Sequence, residues 1–168
     1  MVQYICELIF KTMCGGVGFR IKNISERELK KYYSPGLIKR FKDTGRIESF
    51  FWQRDAVLPV AGKSGEQLML WGNKDEAVKL PKTGWAKEES LKQGKWDYLN
   101  PELVDVPIEW GYEKKTRFEL PDGAKGLVVK KGDDRRVYMI TKEASEEYKK
   151  QTGHNREPLG KKKNYDRK

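Results

Sequence analysis

The sequence is poor in the residues that staple or metallate small proteins. It has two cysteines, Cys6 and Cys14, and one histidine, His154, in 168 residues. A structural zinc site draws its ligands mainly from Cys and His, more of them than this chain supplies, so no metal is expected. Two thiols make at most one bridge, which rules out a disulfide framework, and both are expected to be free. No stretch reaches the ~18–20 apolar residues of a membrane-spanning helix. The apolar start, Met1 to Phe10, is short, contains Glu7 and lacks a basic leading segment and a small-residue cleavage site, so it does not read as a signal peptide. These absences predict a cytoplasmic protein with no membrane partner and no cofactor.

Charge and aromatic residues are abundant. Lys plus Arg number 35 against 25 Asp plus Glu, a net charge of +10, and the chain carries 5 Trp, 8 Tyr and 6 Phe. The aromatics suffice to close a core, so a folded chain is expected, and the length suits one domain. The excess of positive charge suits a polyanion such as nucleic acid, because Lys and Arg neutralise phosphates and release their counterions.

Local signals predict an α+β domain: a curved antiparallel sheet or barrel-like core with a few flanking helices. Ser25-Glu26-Arg27-Glu28 has capping-box form and predicts a helix to about Tyr33. Ser34-Pro35 starts a second, which Gly45 ends. Strands are expected over Arg46 to Trp52, Ala56 to Val60, Glu66 to Trp71, Ile108 to Tyr112, Arg117 to Leu120, Gly126 to Lys130 and Arg136 to Ile140. Thr141 is read as the cap of a last helix, Lys142 to Gln151, stopping at Gly153. The Lys-rich end, residues 160–168, is expected to be a disordered basic tail.

Three residues carry potential chemistry. Cys14 follows Met13; a chain beginning at Cys14 would present a thiol and an α-amine on adjacent carbons, both partly nucleophilic near neutral pH. Such a pair suits an aldehyde, which forms a Schiff base with the amine and closes to a thiazolidine with the thiol. Glu113 ends an apolar strand beside Trp110 and Tyr112, where desolvation would raise its pKa. His154 follows a helix end and is suited to proton transfer near pH 7. Trp71, Trp85, Trp96 and Trp110 lie among Lys74, Lys82, Lys87, Lys92 and Lys95, an interleaving that suits single-stranded nucleic acid; two or three of these Trp are expected to be buried.

In order, Met13-Cys14-Gly15, Leu70-Trp71-Gly72, Gly111-Tyr112-Glu113, Tyr138-Met139-Ile140-Thr141 and His154-Asn155-Arg156-Glu157-Pro158 resemble the motifs of the SOS response-associated peptidase (SRAP) family. The resemblance implies a DNA-damage sensor that captures abasic sites in single-stranded DNA as a covalent DNA–protein crosslink. It implies that Cys14 supplies amine and thiol, that Glu113 moves protons during sugar-ring opening and Schiff-base closure, and that His154 serves the sugar oxygen. It further implies that Arg156 meets a phosphate, with Trp71, Trp85 and Lys87 along the DNA path, and that the same Cys serves autopeptidase cleavage of a leader. A monomer associated with the nucleoid is expected.

The chain departs from the family pattern in three places. Gly16 stands where the family has Arg, Trp85 falls at the position of a family Asn, and the chain is shorter. Residues 1–12 read as a leader or a misassigned start and 13–159 as the SRAP-like domain. While residues precede Cys14 it has an amide and not an amine. Two other readings fit the same residues: a non-catalytic single-strand binder, and a thiol hydrolase or autopeptidase that uses Cys14, Glu113 and His154 without DNA.

Overall fold

The computed structural model describes residues 15–114 and 116–160; Cys14, the proposed leader and the basic tail after Gly160 lie outside them. Eleven strands and four short helices are described. Strand β1 (Gly16–Arg20) is followed by α1 (Glu26–Lys30), α2 (Pro35–Thr44) and β2 (Arg46–Phe50). The hairpin β3 (Val57–Gly62) and β4 (Gly65–Leu70) comes next, then β5 (Trp85–Lys87), α3 (Glu88–Lys92) and β6 (Glu102–Val106). The chain continues through β7 (Trp110–Glu113), β8 (Thr116–Glu119), β9 (Ala124–Lys131), β10 (Asp134–Glu143), α4 (Glu146–Thr152) and β11 (Arg156–Pro158).

The strands form three sheets: β2-β1-β7-β8, β11-β10-β9-β6 with β5 added beside β10, and the β3–β4 pair. All pairings are antiparallel except β5 with β10, which is parallel. The α+β class is as expected, but the described strands do not close into a barrel. No helix among the described residues is long and apolar enough to cross a membrane.

The long strands β9 and β10 face apolar layers on both sides. Side chains alternate between the two faces of a strand. Val137 and Met139 accordingly join one core with Val17, Phe19, Leu58 and Trp71, while Tyr138 and Ile140 join a second with Leu127, Val129 and Trp96. This two-sided burial explains why residues 126–129 are apolar without alternation.

The helix caps follow local chemistry. The side chain of Ser34 accepts from the Leu37 amide, and Gly45 closes α2 in the left-handed region at φ 73°. Ser25 caps α1 by accepting from the Glu28 amide. The box is not reciprocal, because the Glu28 carboxylate accepts instead from the Leu68 amide of β4, at 3.1 Å. The last helix corrects the sequence reading. Its cap is Ser145, which accepts from the Tyr148 amide, and Thr141 lies buried within β10. Thr is β-branched, and here its strand preference prevails over its capping ability.

Candidate active site

Strands β1, β5, β7, β10 and β11 converge on one small cavity. It is lined by Gly15 and Gly16 at the start of β1, Tyr112 and Glu113 at the end of β7, Thr141 of β10, and Arg156 and Pro158 of β11; Trp71 and Trp85 close it on the apolar side. The register explains the convergence. Gly16 pairs with Tyr112, and Thr141 pairs with both Lys87 and Pro158. The volume open to a water-sized group is about 20 Å³, enough for a single water or carbonyl oxygen.

Glu113 is 6% exposed and makes no direct hydrogen bond among the described residues. Burial pushes its carboxyl up to about 7, with Lys114 acting weakly in the opposite direction. Nε2 of His154 lies 3.9 Å from Oε1 of Glu113. The imidazole is oriented from its other side, where Nδ1 lies 3.0 Å from the Arg156 amide nitrogen and 3.2 Å from the Arg156 carbonyl oxygen, contacts that call for opposite tautomers. Burial, reinforced by the nearby charges of Lys114 and Arg156, lowers the His154 pKa despite the contact with the Arg156 carbonyl, which favours the protonated ring. Lys114 itself is at φ 47°, a left-handed conformation that is uncommon for Lys, and its Nζ donates to the Gly153 carbonyl at 3.2 Å. The turn after Glu113 is thereby tied to the loop that carries His154.

Arg156 lines the same cavity, but its guanidinium is already engaged. It makes a two-pronged contact with Glu89 of α3, at 3.2 and 2.9 Å, and donates to the Thr141 carbonyl at 2.8 Å. Its Nε is buried without a partner among the described residues. The guanidinium thus links α3, β10 and β11.

Trp71 is 2% exposed and donates from its indole N–H to the Gly84 carbonyl at 2.9 Å. It forms a wall of the site and offers no free stacking face. Trp85 is half-buried, edge-on to Trp71 with ring centroids 5.6 Å apart. A Cβ on Gly15 would lie 3.0 Å from its ring, so the backbone next to Cys14 runs directly over Trp85. Lys87 is exposed on β5. Of the interleaved tryptophans, Trp71, Trp96 and Trp110 are buried, three as the upper expectation had it.

Two features escape the sequence. Trp52 is 61% exposed and stacks on Phe50, which also stacks on Tyr112. A second, roomier cleft of about 640 Å³ lies between Arg20, Glu66, Asp105 and Glu109. It is lined by Lys22 and several carboxylates but by no Cys, Ser, Thr or His, whereas the small cavity holds a buried carboxyl, 3.9 Å from an imidazole, beside the residue that follows Cys14. Chemistry, not size, selects the small one. Among the described residues no cluster of three or more His, Cys, Asp or Glu side chains gathers to hold a metal.

Comparison of the chain with models of known protein families, with curated proteins and with solved structures finds no match.

Proposed function

We propose that this chain is an SRAP-like sensor that captures the aldehyde form of abasic sites in single-stranded DNA through Cys14. The observation that carries the reading is the meeting of Glu113 and the Gly15 backbone at one cavity, with His154 3.9 Å from the Glu113 carboxyl. The five motifs that resemble the family are far apart in sequence, and each contributes at least one residue to this cavity.

The chemistry balances without a cofactor. The Cys14 α-amine adds to the sugar aldehyde, and the carbinolamine loses its oxygen as water to give an imine. The thiol sulfur then adds to the imine carbon, its proton passing to nitrogen, and the five-membered thiazolidine closes. Proton transfers at the sugar oxygen fall to the Glu113 carboxyl, whose raised pKa suits both donation and acceptance near pH 7. His154, its Nε2 3.9 Å from that carboxyl, is the second titratable group beside it.

The test uses protein whose N-terminus is Cys14 and an oligonucleotide with one abasic site. A denaturant-resistant adduct is expected, absent with the intact oligonucleotide and abolished by Cys14→Ala. Salt-sensitive binding with no adduct would favour a non-catalytic single-strand binder. Cleavage of a segment preceding Cys14 without DNA, again with no adduct, would favour the autopeptidase reading.

A further inference from the structure

The exposed Trp52 sits on a turn that is held from several sides. Gln53 donates its amide to the Phe50 carbonyl at 2.9 Å, and the Gln53 side-chain oxygen accepts from the Phe50 amide at 3.0 Å. The ammonium of Lys74 donates to the carbonyls of Phe51 and Gln53 and rests over the Phe51 ring. A large apolar side chain is thus displayed to solvent on a backbone with little freedom left to lose.

Its ring continues into the candidate site. Phe50 and Trp52 have centroids 5.8 Å apart and planes 28° apart; Phe50 and Tyr112 are 5.6 Å and 26° apart. Both are offset-stacked geometries. Phe50 and Tyr112 belong to the two strands flanking β1, and both pair with Gly16. They stack because Gly16 has no side chain: a Cβ there would lie 2.3 Å from the Phe50 ring. Tyr112 in turn lines the Glu113 cavity. Charge of both signs lies near the rings: Arg54, two residues beyond Trp52, is 97% exposed and 3.9 Å from Asp55, Arg117 opposite Tyr112 is bonded to Glu119 at 2.9 Å, and the Tyr112 hydroxyl donates to Glu48.

We infer that Trp52, Phe50 and Tyr112 form a platform on which an unpaired base of a single strand stacks while its neighbouring sugar reaches the Glu113 cavity. The inference rests on the function proposed above and adds a base-binding subsite to it. Stacking on an aromatic ring requires no particular base, which suits a sensor of a lesion that has lost its base. The occupant is a nucleobase because the rings are continuous with the proposed aldehyde site and the exposed guanidinium of Arg54 lies two residues away, within reach of a backbone phosphate.

The test is the affinity of the chain for a labelled oligothymidylate without abasic sites, read by fluorescence anisotropy, beside the adduct yield on the abasic oligonucleotide. Trp52→Ala is expected to weaken binding about tenfold, as for loss of one base–aromatic stack, and Trp52→Phe to restore most of it. Tryptophan emission should be quenched by the oligonucleotide in the parent protein and much less in Trp52→Phe. Unchanged affinity in Trp52→Ala, with the adduct still formed, overturns the platform and leaves the proposed function standing. A change in oligomeric state alone in Trp52→Ala assigns the ring to a protein contact and also overturns it. Failure of the parent protein to bind any single strand overturns both.

Discussion

Oε1 of Glu113 faces Nε2 of His154 across 3.9 Å, and their proton affinities are shifted toward each other's usual order. A free carboxyl releases its proton well before an imidazolium does. Here burial raises the carboxyl to about 7 and lowers the imidazole, so near neutral pH the carboxyl retains a proton that it would lose in water. The gap is too long for a direct hydrogen bond.

A pH profile follows for the proposed capture reaction. Its rate should inflect near the Glu113 value of about 7, in gel time courses run at several pH values. Glu113→Gln keeps the shape, removes the titration, and should slow capture by about 10²-fold or more, the usual range for a general acid–base group. A rate and an inflection unchanged in Glu113→Gln would exclude Glu113 from proton transfer.

Stability carries its own pH signature. The folded-state value for Glu113 lies above its ordinary 4.5, so the folded protein holds this proton more tightly than the unfolded chain. Below about 4.5 both states are protonated and the burial is not penalised. As pH rises through about 7 that advantage is lost. Glu113→Gln should therefore gain on the parent protein between pH 5 and 7.5, by about 1–3 kcal/mol at the upper end. Urea denaturation at the two pH values measures this; a constant difference would refute it.

The clamp between Arg156 and Glu89 predicts coupling. Glu89→Ala leaves the guanidinium with the Thr141 carbonyl as its main partner, and Arg156→Ala leaves that carbonyl and Glu89 without it. A double-mutant cycle should return about 0.5–3 kcal/mol, the range for residues sharing a network. Because the guanidinium is engaged, Arg156→Ala should alter the salt dependence of DNA binding less than loss of a direct phosphate contact would, a slope change well under one. Additive stability effects would show the clamp to be idle.

Gly16 predicts a different failure. Gly16→Ala forces the Phe50 ring aside and should cost about 1–3 kcal/mol, as overpacking does. Thermal denaturation measures the loss, and the Phe50–Tyr112 stack should weaken with it. A full-stability Gly16→Ala protein would mean that the sheet tolerates a side chain between the two rings.

Much of the fold is legible in sequence where the signal is local. Ser34-Pro35 and Gly45 bound α2 because capping depends on a few neighbouring atoms. Thr141 misleads for the opposite reason: next to a helix-like stretch it resembles a cap, and only the sheet formed by distant residues makes it a strand residue. Strand β1 gives little warning, since Gly16 and Gly18 have weak strand preference and are tolerated because Phe50 and Trp110 cover them. Glu113 and His154 are visible as candidates, but their 3.9 Å approach depends on the β7 and β11 registers. The Trp52 platform is invisible to any linear reading, because it requires Phe50, Gly16 and Tyr112 on three adjacent strands.

Strand β10 supplies Thr141 to the cavity, divides two apolar cores, and bonds on its edges to β5, β9 and β11. A strand held in this way opens to solvent only when much of the domain opens. The amides near Thr141 should therefore be among the slowest to exchange their hydrogens, while the turn at Lys114 should exchange early. One wall of the cavity would keep its shape for as long as the fold survives, and adjustment to a bound strand would be confined to the opposite wall.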